Sequence, residues 1–389
     1  MTVLRLRGPV DSDRLEQAIG AVVAHHPALR TRLWLKQRQA WQAFAAAHFH
    51  LATHDRPTTT PDQPAAIDEF LDTAVRDRFP LYEAPLFRAD LLILGPESSV
   101  LVLRLHHVAA DGIALALIVP QIAAAYRGEF GTPEPDRTYE RWLDRHNRQA
   151  SVPGFQAALD FYGQELSGAT THHTAVYDQP AGGLALDPPD LAEAAGSLDR
   201  ETCEALRALA RANGATLFIV LFAAYAAMLR AFVGSSDLVI ATFVSGRVGE
   251  PEQLIGTCIN TVPVRLRLEH RSTSTELIGA VKAGWWPARQ HQSVPMVLLS
   301  DAGVVPLAQF AINYLDMNEA PFDLPGVAST VTHAQQGFPL NDLLLYALRE
   351  QDGRLRLRLI GGSGTPRLSH ARIGTMLGEL VAILQSWIA

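Results

Sequence analysis

The 389-residue sequence is poor in thiols and in lysine. Cys203 and Cys258 are its only cysteines, too few for a disulfide framework and without the spacing of a metal cluster. Two lone thiols fit a reduced, intracellular setting, so a cytoplasmic location is expected. Lysine occurs only at positions 36 and 282, and the net charge is −7. That acidity argues against nucleic acid as the main partner, because phosphate binding needs a basic field. The sequence has no glycine-rich phosphate loop, and its scattered histidines lack metal-ligand spacing, so no bound nucleotide and no metal are expected. The opening MTVLRLRGPV lacks the apolar stretch and cleavage site of a signal peptide and reads as a strand and a turn. Long repeats and low-complexity tracts are missing too. One run, residues 214–234, reaches membrane-spanning length. It is single, carries Tyr225 and Arg230, and has no flanking basic cluster, which makes it a buried central helix.

What is present is an ordinary globular balance, 48% hydrophobic and 19% charged, in a chain long enough for two domains. Strand and helix patterns alternate from end to end, predicting an α/β (α+β) fold. Strands are expected at 4–8, 29–35, 86–94, 98–107, 196–198, 237–246, 309–315, 342–350 and 354–362. Helices are expected at 11–26, 61–79, 112–126 with a kink at Pro120, 139–149, 154–166, 199–214, 214–234, 272–291 and the C-terminus. A Gly-, Pro- and Thr-rich stretch divides the chain into an N-terminal lobe (1–166), a linker (167–194) and a C-terminal lobe (195–389). The lobes are similarly built, each with a strand that delivers a polar loop to a shared cleft.

The first of those loops is HHVAADG, residues 106–112. Asp111 has a bland reading as the N-cap of the next helix, with Gly112 serving the turn. Consecutive strand residues face opposite sides, so one of His106 and His107 should be structural and the other open to a ligand. A neutral imidazole titrating near physiological pH suits removal of a proton from an amine or hydroxyl nucleophile. Asp111 fits an anchor better than a second catalytic acid, since a carboxylate paired with an arginine can fix the loop. Gly112 permits close approach of an acyl group to the backbone.

HHVAADG resembles the HHxxxDG signature of the condensation domains of nonribosomal peptide synthetases, in the chloramphenicol-acetyltransferase-like superfamily. VVAHHPALRTRL (22–33) looks like that family's RHExLRTxF segment, FVSGR (243–247) like its arginine-bearing loop, and LIGTCINTVPVR (254–265) like IGxFxNTxxxR. RQHQSVP (289–295) matches HQDxPFE as far as the proline. Departures accompany the match. The family's opening segment is missing, His25 and Pro27 replace an arginine and a glutamate, Ala114 stands where serine is common, and the late RDxSRNPL motif is hardly visible.

The resemblance implies two lobes forming a pseudo-dimer with a central tunnel. It also implies acyl transfer from a thioester on the phosphopantetheine arm of an acyl or peptidyl carrier protein to an amine or alcohol. His107 would orient or deprotonate the acceptor, with His106 and Asp111 holding the loop. Arg30 and Arg247 are candidate ion-pair partners for Asp111; Asn260, Gln292 and Ser245 are candidate substrate-binding residues. Asn260 reads equally as a strand-end hydrogen bonder, and structural roles lead for His291 and Gln292, as core or interface packing does for Trp285 and Trp286. No cofactor is bound in this reading, and neither a membrane nor nucleic acid is a partner. With no carrier or adenylation segment recognisable, action in trans is expected, as a stand-alone condensation domain. The alternatives are an O-acyltransferase of the same superfamily using acyl-CoA or a polyketide carrier, and a catalytically silent module that recruits other proteins. Epimerisation and heterocyclisation fit less well, because FVSGR is not glutamate-rich and the histidine pair is intact.

Overall fold

Apolar residues at strand and helix spacing organise the chain into thirteen strands and ten α-helices among the described residues. The structure, a computed structural model, describes residues 1–389 except 38, 47, 132–135, 149–153, 180–190, 248–252, 270–271, 302, 304–307, 317–321, 334–340, 351 and 363–366. Its contacts divide the chain into two units. One comprises Met1–Arg148, Arg247–Cys258 and Glu319–Gly337, the other Gln149–Gly246, Ile259–Asn318 and Phe338–Ala389.

The first unit begins β1 (Thr2–Arg7), α1 (Ser12–His25), β2 (Thr31–Lys36), β3 (Gln39–Phe44), β4 (Leu51–Asp55), α2 (Gln63–Arg76). It continues β5 (Phe87–Gly95), β6 (Ser98–Leu105), α3 (Gly112–Arg127) and α4 (Thr138–Asn147). Far along the chain, β11 (Ala328–His333) returns to it, giving a sheet of order β11-β1-β6-β5-β4. β2 and β3 form a separate two-stranded sheet. Leu15, Ile19, Val22 and Val23 on α1 and Ala114, Ile118 and Ile122 on α3 are buried in one cluster over Leu4, Leu101 and Leu103 of the sheet. The Asp11 carboxylate starts α1 by accepting the Arg14 N–H at 3.0 Å. Pro27 ends the helical run, and residues 27–30 form a 3-10 turn rather than the start of the expected strand.

The second unit holds α5 (Phe155–Glu165), β7 (Glu193–Leu198), α6 (Arg200–Ala212), α7 (Leu217–Val233), β8 (Asp237–Val244) and β9 (Asn260–Arg267). After these come α8 (Ser274–Gln290), α9 (Met296–Asp301), β10 (Phe310–Leu315), β12 (Leu343–Arg349), β13 (Leu355–Gly361) and α10 (His370–Ser386). Its sheet runs β7-β13-β12-β10-β8-β9, with β10 parallel to both β8 and β12. The apolar run at 214–234 becomes α7, buried almost throughout within this unit. Among the described residues no single helix is long and apolar enough to cross a membrane; α6 and α7 pass that test only taken together across a 97° bend.

The division differs from the expected lobes at 1–166 and 195–389. The first unit closes at Arg148, and α5 belongs with the second. Residues 247–258 and 319–337 join the first because β11 pairs along β1, from Thr2↔His333 to Arg7↔Ala328, and because Arg247 bonds Asp111. The described part of the expected linker is not free chain. The backbone N–H groups of Asp178 and Gln179 donate to the Arg367 carbonyl at 3.1 Å, and His173 donates its N–H to the Gln309 side chain at 2.7 Å. Residues 180–190 of that linker lie outside the described residues. α3 runs through Pro120 as one helix.

Candidate functional site

β6 delivers the histidine loop. Its last residue is Leu105, and the His106 N–H still donates to the Leu86 carbonyl at 3.0 Å before the chain turns. The turn is closed by the Ala109 N–H donating to the His106 carbonyl at 2.9 Å. The His106 ring is half-buried and edge-on to Phe79, with centroids 6.2 Å apart. Its Nδ1 accepts the Val108 N–H at 3.2 Å, so the neutral ring carries its proton on Nε2. Burial, and the neighbouring His107, hold its pKa below the ordinary histidine value. His107 is exposed. His106 is thus half-buried and His107 open, both in the turn that follows the end of β6.

Asp111 is both cap and anchor. It is buried, and four donors converge on its carboxylate. Oδ1 accepts the Ala114 N–H at 2.9 Å, capping α3, and Nη2 of Arg247 at 2.8 Å. Oδ2 accepts Nη1 of Arg247 at 2.9 Å and the Cys258 N–H at 3.0 Å. The Arg247 guanidinium is itself completed by the carbonyls of Leu254, at 3.0 Å, and Gly256, at 3.2 Å. Both side chains of this bidentate pair are buried, the geometry in which such bonds are strongest. The histidine loop is thus tied from behind to Arg247, Gly256 and Cys258. Thr257 adds a bond from its hydroxyl to the His107 carbonyl.

The remaining expected site residues divide. Arg30 does not pair with Asp111; the 3-10 turn begun by Pro27 leads its Nη1 to the Ala45 carbonyl at 2.5 Å. Gly112 opens α3 and is exposed, with nothing near where a Cβ would stand, and its φ does not demand glycine. Asn260, Gln292 and Ser245 belong to the second unit. The Asn260 amide is taken up by backbone: Nδ2 donates to the carbonyls of Gln292 and Val294 at 2.8 and 2.7 Å, and Oδ1 accepts the Met296 N–H at 3.1 Å. That is the strand-end role, fixing the turn that leads into α9, in place of a polar group reserved for substrate. His291 stacks on Phe161 at 4.5 Å, Trp285 is core, and Trp286 is exposed beneath Arg289. Ser245 is exposed. Among the described residues no group of three metal-ligating side chains is assembled.

Three further residues shape the surroundings of the loop. Gly256 lies against Tyr139, whose ring carbon would be 2.2 Å from a Cβ added there. Tyr139 is buried, which pushes its hydroxyl up to about 12, and it stacks on Trp142 at 5.8 Å. Thr257 is the third. Gly256 and Thr257 sit inside the LIGTC segment already quoted, so their signal was present; Tyr139 lies in an amphipathic helix with nothing to mark it. Beside this region a pocket of about 340 Å³ is lined by His25, His26, Gln121, Phe130, Asp136 and Leu254, among others. Burial drives the His26 pKa down to about 4, and its Nε2 meets Gln121 Oε1 at 2.6 Å.

A histidine loop presented by β6 and anchored through Asp111 to an arginine loop is the architecture of a condensation-type acyltransferase fold. Residues 1–316 match the Condensation domain family, and the chain belongs to it. Among curated relatives, CymA of Salinispora arenicola (strain CNS-205), described as a probable non-canonical nonribosomal peptide synthetase, is 33% identical over 344 residues, covering 83% of this chain and 4% of its own length. The first condensation domain of the calcium-dependent antibiotic synthetase superposes with a TM-score of 0.81 at 18% identity, covering 100% of this chain and 90% of that one. The X-domain from teicoplanin biosynthesis, solved in complex with OxyB, gives 0.78 at 22% identity, covering 100% and 88%. These likenesses bear out the chloramphenicol-acetyltransferase-like α/β fold. The chain spans between 4% and 14% of the length of the curated relatives it matches. Condensation domains occur in nonribosomal peptide synthetase systems of natural-product biosynthesis, generally form amide bonds by acyl transfer, use no cofactor of their own and work with carrier proteins.

Proposed function

We propose that this chain joins an acyl or aminoacyl thioester, carried on the phosphopantetheine arm of a carrier protein, to an amine or hydroxyl acceptor, and that His107 is the residue on which the step turns. The acceptor nitrogen or oxygen attacks the thioester carbonyl, the new C–N or C–O bond forms, and the C–S bond breaks. The proton lost by the acceptor passes to the His107 imidazole and from there to the departing thiolate. No covalent acyl-enzyme is needed, since two substrates held together react at an advantage. The observation that carries the reading is an exposed imidazole on a loop locked from behind by the buried Asp111–Arg247 pair.

The test incubates the chain with a separately supplied, acyl-loaded carrier protein and a panel of amines and alcohols, with products read by mass spectrometry. A parallel arm offers the same acyl group as its CoA thioester. His107→Ala should lower product formation by about two to four orders of magnitude; undiminished product from that variant would overturn the assignment. Product only from the CoA arm would turn the reading to an acyl-CoA-dependent enzyme. A second reading, recruitment without catalysis, has one observation in its favour: the likeness to the X-domain solved with OxyB. It requires the wild type to bind carrier and form no product.

A further inference from the structure

Eight large apolar side chains are exposed among the described residues, and four of them, Trp34, Trp41, Leu81 and Tyr82, lie on or beside the small sheet of β2 and β3, with Leu35 exposed on its opposite face. Trp34 and Trp41 stand directly opposite one another on β2 and β3, so their rings share a face of that small sheet. Arg32 and Lys36, two residues to either side of Trp34, share it too, and the Arg32 guanidinium lies 5.8 Å from the Trp34 ring. Every one of these positions is exposed. Leu81 and Tyr82 adjoin them, since the Leu33 N–H of β2 donates to the Leu81 carbonyl at 2.6 Å.

A pair of tryptophans flanked by cations is not an economical surface for contact with water. Exposed apolar patches of this kind mark interaction sites, and Trp, Tyr and Arg are the side chains on which protein interfaces concentrate their energy. The charge says which partner. In a chain of net charge −7, residues 17–54 contain no aspartate or glutamate, while Arg32 and Lys36 project from the patch; Glu83 borders it. Its complement is an acidic protein surface. The position says what that partner brings. Phe79, which packs edge-on against His106, is two residues from Leu81, a span of at most about 7 Å of chain. A protein seated on the tryptophans sits beside the histidine loop.

We propose that the exposed face of β2 and β3, extended by Leu81 and Tyr82, is the docking surface for an acidic carrier protein that delivers its thioester to His107. This rests on the reading of His107 given above. The test titrates the intact chain with an octanoyl-loaded, acidic acyl carrier protein by calorimetry, and repeats it with R32E/K36E and with Trp34→Ser. Thermal unfolding of each variant reports that the first unit is folded.

The double charge reversal should weaken binding by at least about tenfold, and the wild-type affinity should fall steeply with salt while that of R32E/K36E does not. Trp34→Ser should weaken binding as well, without changing the salt dependence. Unchanged affinity in both folded variants would overturn the proposal. So would wild-type self-association, seen by sedimentation and abolished by R32E/K36E, or binding of phosphatidylglycerol vesicles in place of the carrier. Product formation is followed in the same samples. Acyl transfer with affinities untouched by the substitutions defeats the docking surface alone; loss of affinity on charge reversal with no acyl transfer by the wild type defeats the role of His107 alone.

Discussion

Arg247→Met removes the counter-charge of a carboxylate whose side chain is only 3% exposed. Two of the four bonds to Asp111 disappear, and the two that remain, from Ala114 and Cys258, are backbone donors that cannot follow the charge into water. Leaving a buried carboxylate without its partner costs about 3–5 kcal/mol, a large share of a typical domain's stability. Asp111→Asn is isosteric but strips the buried Arg247 guanidinium of its counter-charge, so it should cost a similar amount. The double variant should be more stable than the sum of the single losses by about 1–3 kcal/mol, the signature of direct coupling. Denaturant unfolding followed by circular dichroism gives the energies, and hydrogen exchange of the Val108, Ala109 and Ala114 amides places the loosening. High salt should alter the wild-type value little, since the pair is hidden from ions. A loss below about 1 kcal/mol for Arg247→Met, with no coupling to Asp111→Asn, would refute the argument that this pair anchors the loop.

His26 gives a pH dependence of known sign. Its folded pKa, about 4, lies below the ordinary 6.5, so the unfolded chain takes up the proton first and stability falls as pH drops from 6.5 towards 4. The full loss is roughly 3 kcal/mol, and His26→Asn should flatten that part of the curve in melts recorded across the range. Gly256→Ala should cost about 1–3 kcal/mol in denaturant midpoint analysis, because the new methyl meets Tyr139 and stands on a backbone with φ of +159°; Tyr139→Ala in the same chain should relieve only the contact. Thr273→Ala removes the capping box of α8, in which Glu276 and Thr273 satisfy each other's backbone, and should lower stability by about 1 kcal/mol with no change in product formation.

What could be read from the sequence was what is encoded locally. The apolar stripe of α1, the hairpin of β5 and β6 and the buried run of α7 all follow from spacing within one segment. The histidine loop was legible for the same reason: strand, two imidazoles, cap and helix lie within a few residues. Both readings of Asp111 turn out to coexist, because its two oxygens have different tasks. Choosing between Arg30 and Arg247 was a different problem, since either lies far from Asp111 along the chain and only the closed backbone around 254–258 decides it. β3 and β4 went unexpected: QAWQAF mixes alanine and glutamine with its aromatics, and β4 is half-exposed. β11 was missed because ASTVTH is polar and short, a strand by virtue of its partner. The polar atoms of Asn260 look the same in sequence whether they face a ligand or a turn; their three backbone partners separate the cases.

The late return of β11 bears on how the first unit comes into being. A ribosome that has released residues 1–148 has supplied most of that unit's side chains, yet β1 still presents bare amides and carbonyls where Ala328–His333 will lie, and Asp111 waits for an arginine about a hundred residues from being made. Cutting the gene after α4 would therefore yield an incomplete sheet with an adhesive rim and an unneutralised charge. Any attempt to swap the N-terminal piece between related condensation domains has to carry two distant stretches of sequence with it.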